Sequence, residues 1–344
     1  MNRRRFLGTA GAFAVMAVAP LTARSQGRPL RYADMHSHIG IRGAAEIRSE
    51  LAGNGMLLVA RKIVADSPVI RSVPGQGWRV GREATPAELS GYFEKTLQRM
   101  REQHQREGLV EVASAATLER LRGGSAPGIV LAAEGGDFLE GDLRRLEAAR
   151  TAGLIHLQLV HYRVSELGDI STERPVHGGL TAFGREVIAA CNRLGILVDV
   201  AHGTSALIEQ ALELAARPIV YSHGHMTSSE PHYTQNPVRA RAIHKPLALA
   251  IARKGGVVGI WPLGSMYRSL DAYAGALVDA AEALGAAHVG VGTDLAGLPS
   301  SVIPGYAEFA ALEEALVRRG IKAGDIENML GGNYLRVLGR SLAG

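Results

Sequence analysis

The chain contains a single cysteine, Cys191, so no internal disulfide can brace it. That residue falls in a helical stretch and reads as a small buried apolar side chain. No cysteine stands near the N-terminal segment, so lipid attachment there is not expected. A basic run with interleaved aromatics is also missing, and nucleic acid is not an expected partner. The formal charge of +5 adds little, because Arg3, Arg4, Arg5 and Arg24 supply part of it from the N-terminal segment. No low-complexity linker, repeat or shift of composition divides the sequence. Its 344 residues, 47% of them hydrophobic, suit one large core preceded by a short export segment.

Residues 1–23 read as that segment. Arg3-Arg4-Arg5-Phe6-Leu7 resembles the twin-arginine export signature, and an apolar stretch follows from Ala10 to Ala19. The stretch is too short to cross a bilayer, which takes ~20 apolar residues. Leu21-Thr22-Ala23 offers a cleavage site. The expectation is export to the periplasm through the twin-arginine (Tat) machinery, already folded, with an uncleaved anchor as the other reading. Residues 24–344 then form a single catalytic domain.

Strand and helix alternate along that domain. Strands are expected at 30–36, 56–60, 129–134, 154–161, 196–202, 218–223, 257–260 and 288–294, with 56–60 the weakest. Most are apolar throughout, the pattern of parallel strands covered on both faces. Helices are expected at 85–107, 140–152, 180–194, 204–216, 245–254, 270–284 and 306–319. Thr85-Pro86-Ala87-Glu88 reads as a capping box with proline at the first helical position. The segment 40–86 fits this alternation badly. It is read as a loop or hairpin, carrying Trp78, that can wall a pocket.

Potential metal ligands recur just past the apolar runs: His36 and His38, Glu134, His202, His223 and Asp294. A closed (β/α)8 barrel of the TIM type, an α/β fold, collects the carboxyl ends of all its strands at one face, where such barrels carry their sites. An open sheet does not. In His36-Ser37-His38 the period of two puts both imidazoles on one side of an extended chain. Nitrogen donors from four positions suit zinc. Glu134 ends a fully apolar run, and an ionised carboxylate there is costly unless it meets charge. Bridging two metal ions answers that cost. Asp294 closes the last strand, where a carboxylate can move a proton between water and a leaving amine.

Beside the His-x-His opening stand Leu131-Ala132-Ala133-Glu134-Gly135-Gly136, Leu157-Gln158-Leu159-Val160-His161, Asp199-Val200-Ala201-His202, Tyr221-Ser222-His223, Val291-Gly292-Thr293-Asp294 and Gly331-Gly332-Asn333-Tyr334. On these motifs the sequence resembles the membrane (renal) dipeptidase family of the amidohydrolase superfamily over most of its length. The resemblance implies zinc-dependent hydrolysis of dipeptides at a binuclear site. His36, His38 and Glu134 would hold one Zn2+, while Glu134, His202 and His223 would hold the other. Asp294 would be the acid/base, His161 would polarise the scissile carbonyl, and Arg241 would grip the substrate carboxylate, with Arg239 as the alternative. A homodimer is also implied. His38 departs from the family, which usually has Asp there, and the segment 224–244, with His225, His232 and His244, is unlike it. Two other readings follow: an amidohydrolase acting on a different amide, lactam or lactone, and a non-catalytic periplasmic metal or ligand binder.

Overall fold

The computed structural model describes residues 31–40, 46–74, 77–229 and 236–343. The export segment expected at 1–23 and His232 lie outside them. Eight parallel strands form the barrel: β1 (Tyr32–Ser37), β2 (Met56–Val64), β3 (Gly128–Glu134), β4 (Leu154–Gln158), β5 (Leu197–Asp199), β6 (Val220–Thr227), β7 (Val257–Ile260) and β8 (Val289–Val291). Each pairs with the next in chain order. Closure of β8 on β1 runs through a single bridge, Ser37 to Leu295. The His38 amide donates to the Leu295 carbonyl and the Asp294 amide to the His36 carbonyl, both at 2.9 Å. The expected (β/α)8 barrel is therefore the fold.

Several strand boundaries differ from expectation, for physical reasons. The weakest candidate, 56–60, is part of the longest strand, because Arg61 and Lys62 are buried within it rather than ending it. Arg61 reaches His104 Nε2 and Gln103 Oε1 on the helix Glu88–Glu107, both at 2.9 Å. The Lys62 ammonium lies inside the barrel, 2.9 Å from Asp199 Oδ2. Conversely, β4, β5 and β8 stop short of His161, His202 and Asp294. His202 and Asp294 have φ of 70° and 50°, so the chain has already left the extended conformation there.

The helices follow the expected order with shorter ends. The first starts at Glu88, not Thr85. Ala87 before it is left-handed, and Glu88 Oε2 accepts from the Thr85 amide at 3.0 Å, so the glutamate half of the box forms without the first turn. Helices Leu143–Thr151, Ala182–Leu194, Ser205–Leu214 and Leu270–Leu284 are capped by Asp142, Thr181, Thr204 and Ser269, and Lys245–Arg253 and Glu308–Arg318 complete the set. The segment 40–86 is not one loop. It supplies helix Ile47–Gly53, all of β2, and an antiparallel hairpin of Ile70–Val73 with Gly77–Val80.

A C-terminal helix, Asn333–Leu342, closes the bottom of the barrel. Its Tyr334, Leu335, Val337 and Leu338 pack with Ala33, Met35, Leu58, Val130 and Val257. Gly259 and Gly292 flank β6 so tightly that a Cβ on either would stand 1.9 or 2.0 Å from the Ser222 carbonyl oxygen. Only glycine lets the strands approach there.

Within the barrel, His156 Nε2 lies 3.2 Å from both Lys62 Nζ and Asp199 Oδ2, and its Nδ1 meets the Tyr334 hydroxyl at 3.0 Å. Burial alone would raise the Asp199 carboxyl, but Lys62 and His156 hold it well below the usual range. Removing the cation would leave that carboxylate buried and unpaired. Lys62→Met is expected to cost about 3–5 kcal/mol of stability in denaturant titration at neutral pH. A lowered carboxyl stabilises the fold above its unfolded value of about 3.9 and loses that contribution as pH falls through the folded one. The deficit of the variant should therefore shrink in acid. A deficit that is constant with pH would remove Asp199 from the account.

Candidate metal centre

All six expected ligands meet at the carboxyl face of the barrel. Glu134 ends β3 and is 2% exposed, and both of its oxygens face imidazole nitrogen. Oε2 lies 3.1 Å from His38 Nε2. Oε1 lies 3.3, 3.4 and 3.7 Å from Nε2 of His36, His202 and His223. Asp294 Oδ1 is 3.3 Å from His38 Nε2 and 4.0 Å from His36 Nε2. The rings bring their nitrogens together in pairs, His36 with His38 and His202 with His223, each 3.3 Å apart.

Neighbouring groups fix how these rings present themselves. His202 Nδ1 faces the His161 carbonyl at 3.2 Å. A carbonyl only accepts, so Nδ1 carries the proton and Nε2 turns a lone pair toward Glu134. The Ser222 hydroxyl lies between two rings, 3.1 Å from His36 Nδ1 and 2.9 Å from His223 Nδ1. Its oxygen can accept from both at once, which leaves both Nε2 atoms as donors to a cation. Burial, the largest influence on each, keeps His36 below its ordinary value and His202 and His223 well below theirs. Burial also lowers His38, but its hydrogen bonds to Asp294 and Glu134 outweigh this and raise it to about 10. The neutral imidazoles of His36, His202 and His223, aimed at a shared carboxylate, are the donors a divalent cation requires, and a cation held there would take the place of the proton on His38, so the residues fit a metal.

His161 stands as close to the centre as the ligands do, with Nε2 3.4 Å from Glu134 Oε1. Its other nitrogen lies 2.7 Å from Asp66 Oδ1, and Asp66 Oδ2 accepts from the Tyr162 amide at 3.0 Å. Asp66 is fully buried and was not anticipated. It follows β2 just as Asp294 follows β8, so recognising the full length of β2 would have exposed it. Ser222 was likewise unassigned, although it directly precedes a ligand.

Arg241 is 3% exposed and lies beside the centre, whereas Arg239 is exposed on the outside. Its guanidinium carbon lies 4.9 Å from the Trp261 ring centroid and 5.9 Å from that of Tyr162, and Nη1 donates to the Tyr162 hydroxyl at 3.2 Å. Nη2 donates to His223 Nε2, so Arg241 must give up this hydrogen bond for that nitrogen's single lone pair to hold a cation. Nε is buried without a partner, and no carboxylate of the described residues forms an ion pair with this arginine. His225 and His244 lie on the β6 side of the barrel, outside the ligand cluster.

A cavity of about 270 Å3 opens onto these groups, lined by His38, Glu134, His161, Arg241 and Asp294, with Trp78 of the hairpin on its wall. Because Ser222 fixes one ring from each pair, Ser222→Ala is expected to weaken metal binding by about 10–100-fold in chelator competition. Unchanged affinity would show that packing alone orients the rings.

Comparison with known proteins agrees with this geometry. The family model for membrane dipeptidase (peptidase family M19) matches residues 85–342. The dipeptidase aclJ of Aspergillus oryzae is 28% identical over 220 residues, covering 61% of this chain and 50% of its own length. Dipeptidase 3 of Mus musculus is 26% identical over 220 residues, covering 60% of this chain and 43% of its own length. The chain thus spans about half the length of the curated relatives it matches. Among solved structures, an amidohydrolase from Pseudomonas aeruginosa superposes with a TM-score of 0.74 at 20% identity, over 91% of this chain and 97% of that one. A metallo peptidase from Rhodobacter sphaeroides, liganded with a phosphinate mimic of the dipeptide L-Ala-D-Ala, gives 0.75 at 17% identity, over 91% and 100%. At such identities the superpositions speak for the fold. The family match begins after His36, His38 and Asp66, which the fold itself brings to the site. The match covers well over half of the sequence, and the chain belongs to the membrane dipeptidase family, peptidase family M19.

Proposed function

We propose that this protein is a metal-dependent hydrolase of the amide bond in small substrates with a free carboxylate, dipeptides being the class its family points to. One observation carries the reading: a single buried carboxylate, Glu134, faces the Nε2 atoms of His36, His38, His202 and His223. Two zinc ions are the cofactor this donor set suits best. His36, His38 and Glu134 would hold one, while Glu134, His202 and His223 would hold the other, with Glu134 common to both sets because Oε2 faces His38 and Oε1 faces His36, His202 and His223. When bound, the metal polarises the scissile carbonyl and brings the pKa of water near 7.

The protein's own groups supply the rest. Asp294 lines the cavity and takes the proton from the attacking water, then delivers it to the leaving nitrogen. His161, held by Asp66 at Nδ1, presents Nε2 to the carbonyl oxygen and stabilises the charge that develops there. Arg241 receives the substrate carboxylate, which pairs the guanidinium and satisfies its lone Nε. Export is part of the proposal and rests on Arg3-Arg4-Arg5-Phe6-Leu7 and the apolar stretch after it. Among the described residues no helix is long and apolar enough to cross a membrane.

A panel of dipeptides, including D-residues at the C-terminal position, tests the activity before chelation, after chelation and after zinc is restored. Hydrolysis should vanish and return with zinc. Asp294→Asn is expected to keep its metal and lose about 10²–10⁴-fold in kcat. Full turnover in that variant would remove Asp294 from the mechanism, and chelation without effect would remove the metal.

A further inference from the structure

We infer that the acyl side of this cavity is built for a neutral, apolar group, so that its preferred substrates are N-acyl amino acids over dipeptides with a free α-ammonium. The inference rests on the hydrolase reading above and names the substrate of the same site. With the carboxylate on Arg241 and the scissile carbonyl oxygen on His161 Nε2, the acyl group must occupy the remaining wall. That wall consists of Val64 at the end of β2, Ser67, Ile70 and Trp78 of the hairpin, and Tyr162, Ala296 and Gly297. Its only side-chain hydrogen-bond acceptors are the hydroxyls of Ser67 and Tyr162, and that of Tyr162 already accepts from Arg241. Trp78 is 44% exposed on the cavity rim, a large apolar surface in contact with water.

A free ammonium would find no carboxylate counter-charge of its own at that end. Glu134 and Asp294 are the only carboxylates among the described residues that line the cavity. Both oxygens of Glu134 already face imidazoles, and Asp294 Oδ1 faces His38 and is needed for proton transfer. His38 carries no negative charge in either protonation state. Asp66 lies behind the wall, taken up by His161 and the Tyr162 amide, and Glu173 is paired with Arg79 at 3.5 Å. Desolvating an unpaired ammonium there is costly, whereas an apolar acyl chain gains by covering Trp78, Ile70 and Val64.

The chemistry is the same hydrolysis. Water's oxygen forms the new bond to the acyl carbon, and the amide C–N bond breaks. A proton from that water passes through Asp294 to the nitrogen. The products are a carboxylic acid and a free amino acid, the latter still held through its carboxylate.

The test uses the full zinc-loaded protein, with metal content verified, and substrate pairs that share one C-terminal amino acid. One series carries a free aminoacyl group, the other acetyl, butanoyl and phenylacetyl. The N-acyl series should exceed the dipeptides in kcat/KM by roughly tenfold or more, with the ratio rising with acyl size. Trp78→Ala, a rim substitution that leaves the barrel core intact, should flatten the rise with size. Ile70→Asp should move preference back toward the free dipeptides. Dipeptides cleaved as well as or better than their acyl counterparts would overturn the inference and leave the hydrolase reading standing. An undiminished size dependence in Trp78→Ala would do the same. No cleavage of either series by folded, metal-loaded protein would overturn both.

Discussion

The structure is organised around keeping one carboxylate ionised where its own strand would make it neutral. Glu134 follows six residues of buried backbone and apolar side chain, and burial alone would raise it. His161 and His36 reverse this and hold it well below the ordinary range. The rings that face it come from β1, β6 and the turns after β4 and β5, so no local segment can assemble this environment. Only a closed barrel brings those ends together. The cost of Glu134 is met by the same contacts that suit it to hold a metal ion, which couples the stability of this face to the proposed chemistry.

A second carboxylate fixes the seam where the barrel closes. Asp34 Oδ1 accepts from the amides of His36 at 3.0 Å and Thr293 at 2.9 Å. Oδ2 accepts from the hydroxyls of Thr293 at 2.5 Å and Tyr306 at 3.0 Å. Burial raises this carboxyl to about 6 in spite of the four donors. Asp34 ties the first strand to the turn after the last, and so sets His36 and His38 against Asp294. Beneath β6, Asp199 plays the matching part: its Oδ1 accepts from the amides of Ala201 at 3.1 Å and Ser222 at 3.0 Å. Through Ser222 it places the hydroxyl that orients two ligand rings. The centre thus rests on two buried aspartates, Asp34 through the first strand and Asp199 through Ser222.

How much of this is legible in the sequence depends on whether a residue's neighbours share its polarity. His36, Glu134, His202, His223 and Asp294 stand out because each interrupts an apolar run, and a polar residue ending such a run needs a reason. The barrel follows from the same runs. Asp66 was hidden by the same rule working in reverse. Arg61 and Lys62 look like the end of a strand, yet their charges are met by a helix outside and an aspartate inside, which only the fold supplies. Asp34 and Asp199 sit within strands and each takes a partner far along the chain, Thr293 and Lys62, so no local pattern marks them. Arg241 could be placed by resemblance, but its sandwich between Trp261 and Tyr162 could not.

Backbone conformation explains why His202 and Asp294 lie past their strands, whereas His36, Glu134 and His223 reach the centre from within theirs. His202 and Asp294 are non-glycine residues in the left-handed region, a conformation costing on the order of 1–3 kcal/mol that persists only where the surroundings over-determine it. Here they do. The Asp294 amide is held by the His36 carbonyl and its own carbonyl accepts from the Gly297 amide, both at 2.9 Å, while a Cβ at Gly297 would collide with the Asp294 carboxylate. His202 is pinned through its Nδ1 to the His161 carbonyl. Turning the chain at these points swings each side chain from the barrel wall over its mouth, where it reaches the groups brought there by other strands. The strain is therefore part of how a cylinder of parallel strands becomes a site, and it falls on the last residues before the loops that shape the cavity.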